Sequence, residues 1–348
     1  MKAVRIAERL VGPGHPPFIV AELSANHNGS LERALSILEA AKDAGADAVK
    51  LQTYTPDSMT WNSRDPAFVL QGGLWDGESL YDLYAKAQTP RSWHPVLFER
   101  ARQLGIILFS TPFDEETVDY LEQFDPPAYK IASMELTDIP LLERIGKTRR
   151  PAILSTGNCS QQEIATAIDT VSSAGTEDIL LLHCISSYPA PAEDSNLRAI
   201  PWMESVFDRP VGLSDHTAGT SVSVASVALG ACMIEKHFTL NRDGGGPDDS
   251  FSIDPTDLKR LTIDCREAWS ALGVPLLKRA DSEKATHKLR RSLFVIAPMK
   301  QGEPFTRAKI KALRPAIGLP TGELPCVLER RAARDIAAGT PLSNDLLS

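Results

Sequence analysis

Short apolar runs recur along the first two-thirds of the chain and alternate with amphipathic stretches. Each run is rich in Val, Ile, Leu and Phe and has the length of a buried strand. The eight runs read FIVAEL from Phe18, AVKLQTY from Ala48, IILFSTPF from Ile106, AYKIAS from Ala128, PAILSTG from Pro151, DILLLHCI from Asp178, VGLSDH from Val211 and MIEKHF from Met233. Between most of them lie stretches such as LERALSILEAAKDAGA and QQEIATAIDTVSSAG, which have apolar residues three and four positions apart and a glycine near the end. Such stretches are typical of helices with C-terminal caps.

Eight alternating strand and helix units predict an α/β fold, a closed parallel (β/α)8 TIM barrel. The alternative is an open doubly wound sheet, but no G-x-G-x-x-G or Walker-type loop follows the first strand, which disfavours a nucleotide-binding version. We expect the barrel domain over residues 1–275 and a charged linker over 276–290. Residues 291–348 hold two apolar segments followed by turn sequences, which predicts a small β-rich domain, too small for the main chemistry.

The composition disfavours several classes of protein. Of 348 residues, 43% are hydrophobic and 24% are charged, which is ordinary for a soluble globular protein. The formal net charge of −8 and the lack of a basic run argue against a nucleic-acid partner. The sequence has no signal-peptide pattern and no run of about 18 apolar residues, so we expect no membrane association. The five cysteines are odd in number and form no CxxC pair, which favours the reducing cytoplasm.

Nearly every predicted strand ends in polar or charged residues. These are Glu22, Lys50, Gln52, Thr111, Lys130, Ser133, Glu135, Ser155, Ser186, Tyr188, Ser214, Asp215, His216, Glu235, Lys236 and His237. In a parallel barrel the carboxyl ends of all strands meet at one rim, where active sites are built. The sequence therefore predicts one polar site at this rim.

Two histidines close the last two strands of the predicted barrel. His216 and His237 would lie on neighbouring strands, within reach of one divalent ion. Neutral imidazole suits Mn, Fe, Co or Zn and leaves positions open for water and substrate. The alternative is that each is a hydrogen-bonded rim histidine without a metal.

Two lysines, Lys50 and Lys130, lie inside otherwise apolar strands, where an unpaired ammonium group is too costly to bury. One interpretation is a clamp for the phosphate and carboxylate groups of a substrate. Hydroxyl groups that could assist this clamp belong to Ser133, Ser155 and Ser214. A second interpretation is a structural salt bridge with Glu22 or Glu135. A third is a Schiff-base lysine, as class I aldolases use.

Two loops complete the predicted rim. Residues 56–90, between the second and third strands, form an aromatic and glycine-rich insertion that must act as a lid or wall above the site. Its aromatic residues are interpreted as the insertion's own small core rather than a stacking platform. They are Trp61, Trp75, Tyr81 and Tyr84. The loop after the eighth strand reads NRDGGGPDDSFS, in which Asp248 is either a sugar-hydroxyl acceptor or part of a solvated turn.

The motifs at these strand ends resemble the sialic acid synthase family from one end of the chain to the other. The matching segments are AELSANHNGS, KLQTYTPDSMT, YKIASMEL, ILSTGN, SSYPAP, GLSDHT, IEKHFTL and GGPDDSFS. The C-terminal part resembles the antifreeze-like (SAF) domain of that family. Within the family, GGLWDGESLYDLYAKAQTP, the following Trp-His pair and FDPPAYKIAS look like the pseudaminic acid synthase branch rather than N-acetylneuraminate synthases.

The resemblance implies a barrel that binds phosphoenolpyruvate and a divalent ion at His216 and His237, Mn2+ in preference to Mg2+ or Co2+. The positions that match phosphoenolpyruvate-holding residues are Lys50, Lys130, Ser133, Ser155 and Ser214. The positions that match residues around the sugar and the reacting carbons are Glu22, Glu135, Gln52, Tyr188 and Asp248. We add Thr111 and Ser186 as substrate-binding candidates because they lie at strand ends. The candidate catalytic residues are Glu22, Glu135, Lys50 and Lys130.

Members of the family are domain-swapped homodimers in which the SAF domain lends an arginine to the partner's sugar site. Arg314, in LRPAIGL, matches that arginine and would orient an acetamido carbonyl. One departure is Glu329 in VLERRAARDI, where the family usually has a glycine before the basic residues. This departure concerns a local turn of the small domain and not the chemistry.

The resulting hypothesis is a cytoplasmic transferase that condenses phosphoenolpyruvate with 2,4-diacetamido-2,4,6-trideoxy-L-altrose. The products would be pseudaminic acid and phosphate, with cleavage of the C–O bond, and either Glu22 or Glu135 would handle the proton of the attacking water. Legionaminic and N-acetylneuraminic acid precursors stay open as acceptors. The rivals from other classes are a class I aldolase using Lys130 or Lys236 and a non-catalytic sugar-binding protein.

Overall fold

Eight parallel strands form a closed barrel in the first of two units. The computed structural model describes residues 2–348, and the chain divides into one unit up to Gly273 and a second over Val274–Ser348. The barrel strands are β3 (Phe18–Glu22), β4 (Ala48–Thr53), β5 (Ile107–Pro112), β6 (Tyr129–Ile131), β7 (Ala152–Ser155), β8 (Ile179–Cys184), β9 (Val211–Asp215) and β10 (Met233–His237). They pair in chain order, and β10 closes the ring against β3. Each of the eight apolar runs contains one strand, so the barrel prediction is confirmed and the open sheet is wrong.

Helices follow the strands, as the apolar spacing predicts. In the first unit they are α1 (Leu31–Asp43), α2 (Pro56–Met59), α3 (Leu80–Ala87), α4 (His94–Leu104), α5 (Glu115–Leu121), α6 (Ile139–Thr148), α7 (Gln161–Ala174), α8 (Ala199–Phe207), α9 (Ser221–Ala228) and α10 (Pro255–Ala271). Helix α7 shows why they begin where they do, because Ser160 and Glu163 form a reciprocal capping box at its first turn. None of the helices in residues 2–348 combines the length and apolar character that crossing a bilayer requires.

A short N-terminal hairpin, which the sequence pattern did not predict, packs into the barrel. Its strands are β1 (Val4–Ile6) and β2 (Arg9–Val11), which pair antiparallel. Val4, Ile6 and Val11 belong to the same buried cluster as Phe18 and Met233, which begin strands β3 and β10. The hairpin therefore fills the end of the barrel where the strands start, opposite the predicted site.

Side chains alternate between the barrel interior and the surrounding helices along each strand. In β10, Met233 joins the interior cluster and Ile234 joins the cluster that contacts the helices. The barrel interior is so tight at β9 that Gly212 has no room for a side chain. A Cβ atom there would lie 2.5 Å from the carbonyl oxygen of Met233 and 2.7 Å from Leu182.

The second unit has its own small core. Its elements are α11 (Lys284–His287), β11 (Ser292–Val295), β12 (Ile310–Leu313) and α12 (Leu324–Leu328), with β11 and β12 paired antiparallel. Leu293, Val295 and Phe305 are buried in this core. Glu329 follows α12 with a φ of −89°, which is ordinary backbone, so this position does not require the glycine usual in the family.

Candidate active site

A cavity of about 360 Å³ opens where the barrel strands end, a volume typical of small-ligand sites. Thirteen of the fifteen predicted site residues line it: Lys50, Gln52, Thr111, Lys130, Ser133, Glu135, Ser155, Ser186, Tyr188, Ser214, His216, His237 and Asp248. Strand alternation explains this convergence, because residues two apart on one strand point to the same side. Glu22 lies behind the cavity lining, where it contacts two lining residues, Lys50 and Gln52. Arg314 belongs to the second unit, where it is exposed, so its predicted role stays a prediction.

Lys50 sits between two carboxylates inside the barrel. Its ammonium nitrogen lies 3.0 Å from Glu22 Oε2 and 2.9 Å from Glu235 Oε1, and its side chain is almost completely buried. Pairing is what makes such a buried charge tolerable. The salt bridge that the sequence left open is therefore present with Glu22, and a second carboxylate joins it.

Glu235 belongs to the predicted polar rim but had no role in the predicted site. Its carboxylate accepts hydrogen bonds from Lys130 at 2.9 and 3.1 Å and from the Ser214 hydroxyl at 3.1 Å. The alternation in MIEKH could have identified it, because Glu235 and His237 point inward while Lys236 points outward. Lys236 instead pairs with Asp215 at 2.9 Å, behind the barrel wall. We call Glu22, Lys50, Lys130 and Glu235 the charged cluster.

The members of the charged cluster differ in pKa. Burial raises the pKa of Glu22, although Lys50 opposes the shift. Burial acts in the same direction on Glu235, but Lys130 and Lys50 outweigh it and hold the pKa of that carboxyl well below its usual range. Burial also lowers the pKa of Lys130 to about 8, against the attraction of Glu235. Burial would also lower the pKa of Lys50, but the charges of Glu22 and Glu235 outweigh it and raise this pKa. Glu235 and Lys50 thus stay charged near neutral pH, whereas Lys130 loses its proton as the pH rises above about 8.

Two hydroxyl groups of the cavity wall have no hydrogen-bond partner in the described part of the chain. Thr111 Oγ1 and Ser155 Oγ are buried and make no hydrogen bond within residues 2–348. Ser133 Oγ accepts a hydrogen bond from the Gly157 amide at 2.9 Å and also hydrogen-bonds with the Cys184 thiol. Because buried polar groups are normally paired, these hydroxyls are suited to a polar ligand.

Asp248 reaches the cavity from the loop after β10 and is held in place there. It accepts hydrogen bonds from the Ser24 hydroxyl and, at 3.4 Å, from the Ala25 amide. Gln52 donates to Ser24 Oγ at 3.0 Å and to Glu22 Oε1 at 3.0 Å. This chain of bonds links Asp248 to the charged cluster, so the interpretation as a solvated turn is wrong.

The two predicted metal ligands lie side by side. The ring centroids of His216 and His237 are 5.3 Å apart, and the Tyr188 ring packs on them at 4.3 and 5.8 Å. His216 Nδ1 bonds to the Ile185 carbonyl at 2.8 Å, whereas His237 Nδ1 is buried without a hydrogen-bond partner, 3.8 Å from Asp248 Oδ2. Burial, together with the charge of His216, holds the pKa of His237 well below its usual value. His237 is therefore a neutral imidazole with an unused nitrogen.

Glu135 lines the cavity apart from the charged cluster, after β6. Burial raises its pKa to about 6. A carboxyl group with this pKa exchanges a proton readily near neutral pH, which is the property a general acid or base needs.

The insertion forms part of the cavity wall, as the sequence analysis expected, but its aromatic residues do not form a separate core. Trp61 is 76% exposed, whereas Trp75 and Tyr84 line the cavity. Tyr84 packs edge-to-face on Tyr54 at 5.7 Å, and Tyr54 is itself a lining residue. The small-core interpretation is wrong because Trp61 is exposed to solvent while Trp75 and Tyr84 face the cavity.

Comparison with known proteins places these features in one family. The family described as NeuB matches residues 37–276, and the SAF domain family matches residues 290–348. Pseudaminic acid synthase from Helicobacter pylori is 45% identical over 332 residues, which cover 95% of this chain and 97% of that protein. N,N'-diacetyllegionaminic acid synthase from Legionella pneumophila is 36% identical over 330 residues, 93% of each chain.

A solved structure supports the same grouping. The crystal structure of N-acetylneuraminic acid (sialic acid) synthetase from Leptospira borgpetersenii matches with a TM-score of 0.74 at 32% identity. The match covers 82% of this chain and 95% of that one. The fold and the site thus define a barrel of the sialic acid synthase type. The chain belongs to the NeuB family, and the resemblance found in its motifs is confirmed.

Proposed function

We propose that this protein is a transferase that condenses phosphoenolpyruvate with 2,4-diacetamido-2,4,6-trideoxy-L-altrose, giving pseudaminic acid and phosphate. The observation that carries the proposal is the meeting of Lys50, Lys130, His216 and His237 around one cavity. The acceptor follows from similarity, because identity to the Helicobacter pylori pseudaminic acid synthase is 45% and to the legionaminic acid synthase 36%.

The charged cluster and the free hydroxyls suit phosphoenolpyruvate. The charged cluster places the ammonium groups of Lys50 and Lys130 in the cavity wall, and two neighbouring cations favour an anion. Lys50 and Lys130 then hold the phosphate and carboxylate groups, while Ser133, Ser155 and Thr111 donate hydrogen bonds. Glu235 keeps both ammonium groups in place before the substrate binds, so little reorganisation is needed.

The histidine pair fits a divalent ion such as Mn2+. His237 Nδ1 is buried without a hydrogen-bond partner, and Asp248 adds an oxygen donor close by. Within residues 2–348 no group of three His, Cys, Asp or Glu residues is arranged to hold a metal alone. Two imidazoles leave further positions for water and substrate, as catalytic sites require. When bound at His216 and His237, the ion supplies Lewis acidity at the aldehyde oxygen of the sugar.

The reaction forms one carbon–carbon bond and, from water, one carbon–oxygen bond, and it breaks the carbon–oxygen bond between C2 and the phosphate. Of the two protons of this water, one ends on the former aldehyde oxygen and one on the phosphate. C3 of phosphoenolpyruvate attacks the aldehyde carbon, positive charge develops at C2, and water adds there before phosphate leaves. The lysines keep C3 facing the aldehyde and stabilise the departing phosphate. Asp248 and Gln52 bind sugar hydroxyl groups, and Tyr188 excludes water beside the histidines.

Glu135 is the better of the two candidates for the water proton. Glu22 is enclosed by Lys50 and Gln52 behind the cavity lining, whereas Glu135 lines the cavity and has a pKa of about 6. Its ionised form accepts a proton from water, and its neutral form returns one to the leaving group.

Two further parts of the proposal concern assembly and location. The protein forms a domain-swapped homodimer in which Arg314 completes the partner's sugar site, since Arg314 is exposed and matches the family's arginine. Arg314→Ala should then raise KM for the sugar and leave KM for phosphoenolpyruvate unchanged. The protein works in the cytoplasm, where its five cysteines stay as free thiols.

Phosphate release tests the proposed function directly. Purified protein is incubated with phosphoenolpyruvate, Mn2+ and, in separate reactions, the pseudaminic, legionaminic and N-acetylneuraminic acid precursors. The pseudaminic precursor should release phosphate fastest, and 18O from the bridging position should appear in that phosphate. Retention of the label in the sugar, or no phosphate with any acceptor, contradicts the proposal.

The aldolase rival has a separate test. Lys236 faces away from the cavity and is paired with Asp215, so Lys130 is the one lysine of the two that could form an imine there. Borohydride reduction with a keto acid should leave no adduct on Lys130, because the proposed reaction uses its ammonium group as a charge and forms no imine.

A further inference from the structure

The cavity has two chemically different sides. The strand ends contribute nearly all of its charged and hydrogen-bonding groups. The insertion contributes apolar and aromatic side chains, namely Met59, Leu70, Trp75, Leu80, Leu83, Tyr84 and Ala87. The apolar side therefore recognises something other than the phosphate, the carboxylate or the aldehyde.

A tight hairpin holds the centre of this apolar side. The Leu70 amide donates to the Glu78 carbonyl and the Gly77 amide donates to the Leu70 carbonyl, both at 2.9 Å. Gly72 and Gly77 have positive φ values of 77° and 80°, which allow the sharp reversal. Leu70 is consequently fixed by backbone bonds on both sides, at the point where it meets the cavity.

Trp75 is the residue of the hairpin tip that turns inward. All other residues from 71 to 77 are exposed, whereas Trp75 is partly buried and lines the cavity. Its indole N–H donates to the Pro247 carbonyl at 3.2 Å, which ties the hairpin to the loop that carries Asp248. Trp75 is thus held against the cavity, where its ring can contact a bound ligand.

The position of Trp75 relative to the histidines suggests what it contacts. Its ring lies 6.3 Å from the Tyr188 ring, which packs on His216 at 4.3 Å. An open-chain sugar whose aldehyde carbon lies at the histidine pair therefore extends its far end along Tyr188 towards Trp75. In a 6-deoxy sugar that far end is a methyl group.

We infer that Leu70 and Trp75 form an apolar subsite for the C6 methyl group of the acceptor and select 6-deoxy sugars over sugars with a C6 hydroxyl. The inference rests on the proposed function and adds the residues that set its specificity. A hydroxyl group buried against Leu70 and Trp75 would lose its water without gaining a partner. Apolar pockets of this kind disfavour an added hydroxyl by about 10²-fold.

The test compares two acceptors that differ at one atom. The protein is assayed with 2,4-diacetamido-2,4,6-trideoxy-L-altrose and with its C6-hydroxyl counterpart, in the presence of phosphoenolpyruvate and Mn2+. We expect the ratio of kcat/KM values to favour the 6-deoxy sugar by about 10²-fold in the unmodified protein. In Leu70→Asn and Trp75→Ala the ratio should fall about tenfold or more, while KM for phosphoenolpyruvate stays the same.

Two control variants separate recognition from folding. Trp61→Ala removes an aromatic side chain from the same insertion that is 76% exposed and does not line the cavity. Leu70→Met keeps the apolar character of the subsite. Both control variants should retain the full preference for the 6-deoxy sugar. Thermal melts show whether each variant folds. If either Leu70→Asn or Trp75→Ala does not fold, the other of these two variants tests the subsite.

The outcomes distinguish this inference from the proposed function. If neither sugar yields phosphate with the unmodified protein, the proposed function is wrong. If both sugars react and the folded variants Leu70→Asn and Trp75→Ala keep the original preference, the function stands and the subsite is wrong. An unmodified protein that uses the two sugars equally also overturns the subsite.

Discussion

Glu235 binds Lys130 through both of its carboxylate oxygens, at 2.9 and 3.1 Å, inside the barrel. Replacing one member of a buried pair leaves the other charge without compensation, so Glu235→Gln should lower the free energy of unfolding by about 3–5 kcal/mol. Denaturant unfolding followed by circular dichroism measures this. The matched control is Glu116→Gln, which breaks a largely exposed pair with Arg91 at 2.7 Å and should have little effect. Equal losses in the two variants would contradict the role given to Glu235.

The pH dependence of kcat/KM for phosphoenolpyruvate should be bell-shaped. Glu135 has a raised pKa of about 6, so its ionised form is lost as the pH falls below 6 and activity declines. Lys130 has a lowered pKa of about 8, so its charge, and the attraction for phosphate, is lost as the pH rises above 8. Initial rates between pH 5 and 10 test both limbs.

Glu135→Gln identifies the origin of the acidic limb. The substrate phosphate also titrates, so any limb that persists in this variant belongs to the substrate. We expect a fall in kcat of about 10²–10⁴-fold, the usual contribution of a general acid or base, and a flatter acidic limb. If Glu135→Gln keeps the full kcat and the original pH profile, Glu22 is the residue that handles the water proton.

The histidine pair predicts dependence on a divalent ion. Chelation should abolish activity, and His237→Ala should do the same while the protein stays folded. Metal content after dialysis against Mn2+, measured by plasma emission spectrometry, gives a readout that does not depend on turnover. His287→Ala, in the exposed α11 helix, should bind metal as the unmodified protein does. Full turnover in excess chelator would show that the reaction does not need a divalent ion.

The packing at Gly212 gives a prediction about stability alone. A methyl group there meets the Met233 carbonyl oxygen and Leu182, and overpacking of this kind costs about 1–3 kcal/mol. Gly212→Ala should therefore lower the midpoint of denaturant unfolding. Gly322→Ala is the control, because no heavy atom lies within 4 Å of the added group. A midpoint unchanged in both variants would mean that the barrel relaxes around the methyl group.

Strand and helix periodicity was enough to predict the barrel. Each apolar run from Phe18 to Met233 contains a strand because its residues are buried on both faces, which leaves a strong local signal. The hairpin at Val4–Ile6 and Arg9–Val11 has strands of only three residues, too short to show a period. The hairpin is buried because it packs against the end of the barrel where the strands start, and this tertiary contact leaves no pattern in the local sequence.

The members of the candidate site were predictable from the sequence, and so was the Lys50–Glu22 pair as one alternative, but the pairs with Glu235 were not. Polar residues at strand ends identified Lys50, Lys130 and both histidines, since topology alone brings such positions together. The partner of Lys130 is Glu235, 105 positions further along the chain, and no local pattern indicates that pairing. Likewise, whether Trp75 packs within the insertion or against Tyr188 is decided by tertiary contacts.

Adjacent residues of opposite charge occupy opposite faces of β10, with Glu235 turned towards Lys50 and Lys130, and Lys236 turned towards Asp215. Loss of a single residue from the first half of this strand would exchange the two, because side-chain direction reverses at every position. Lys236 would then join Lys50 and Lys130 inside the barrel, while Glu235 would face Asp215 outside it. A deletion of one codon in the first half of β10 would therefore reverse the charge that this strand presents to the cavity, which no single substitution of Lys236 does.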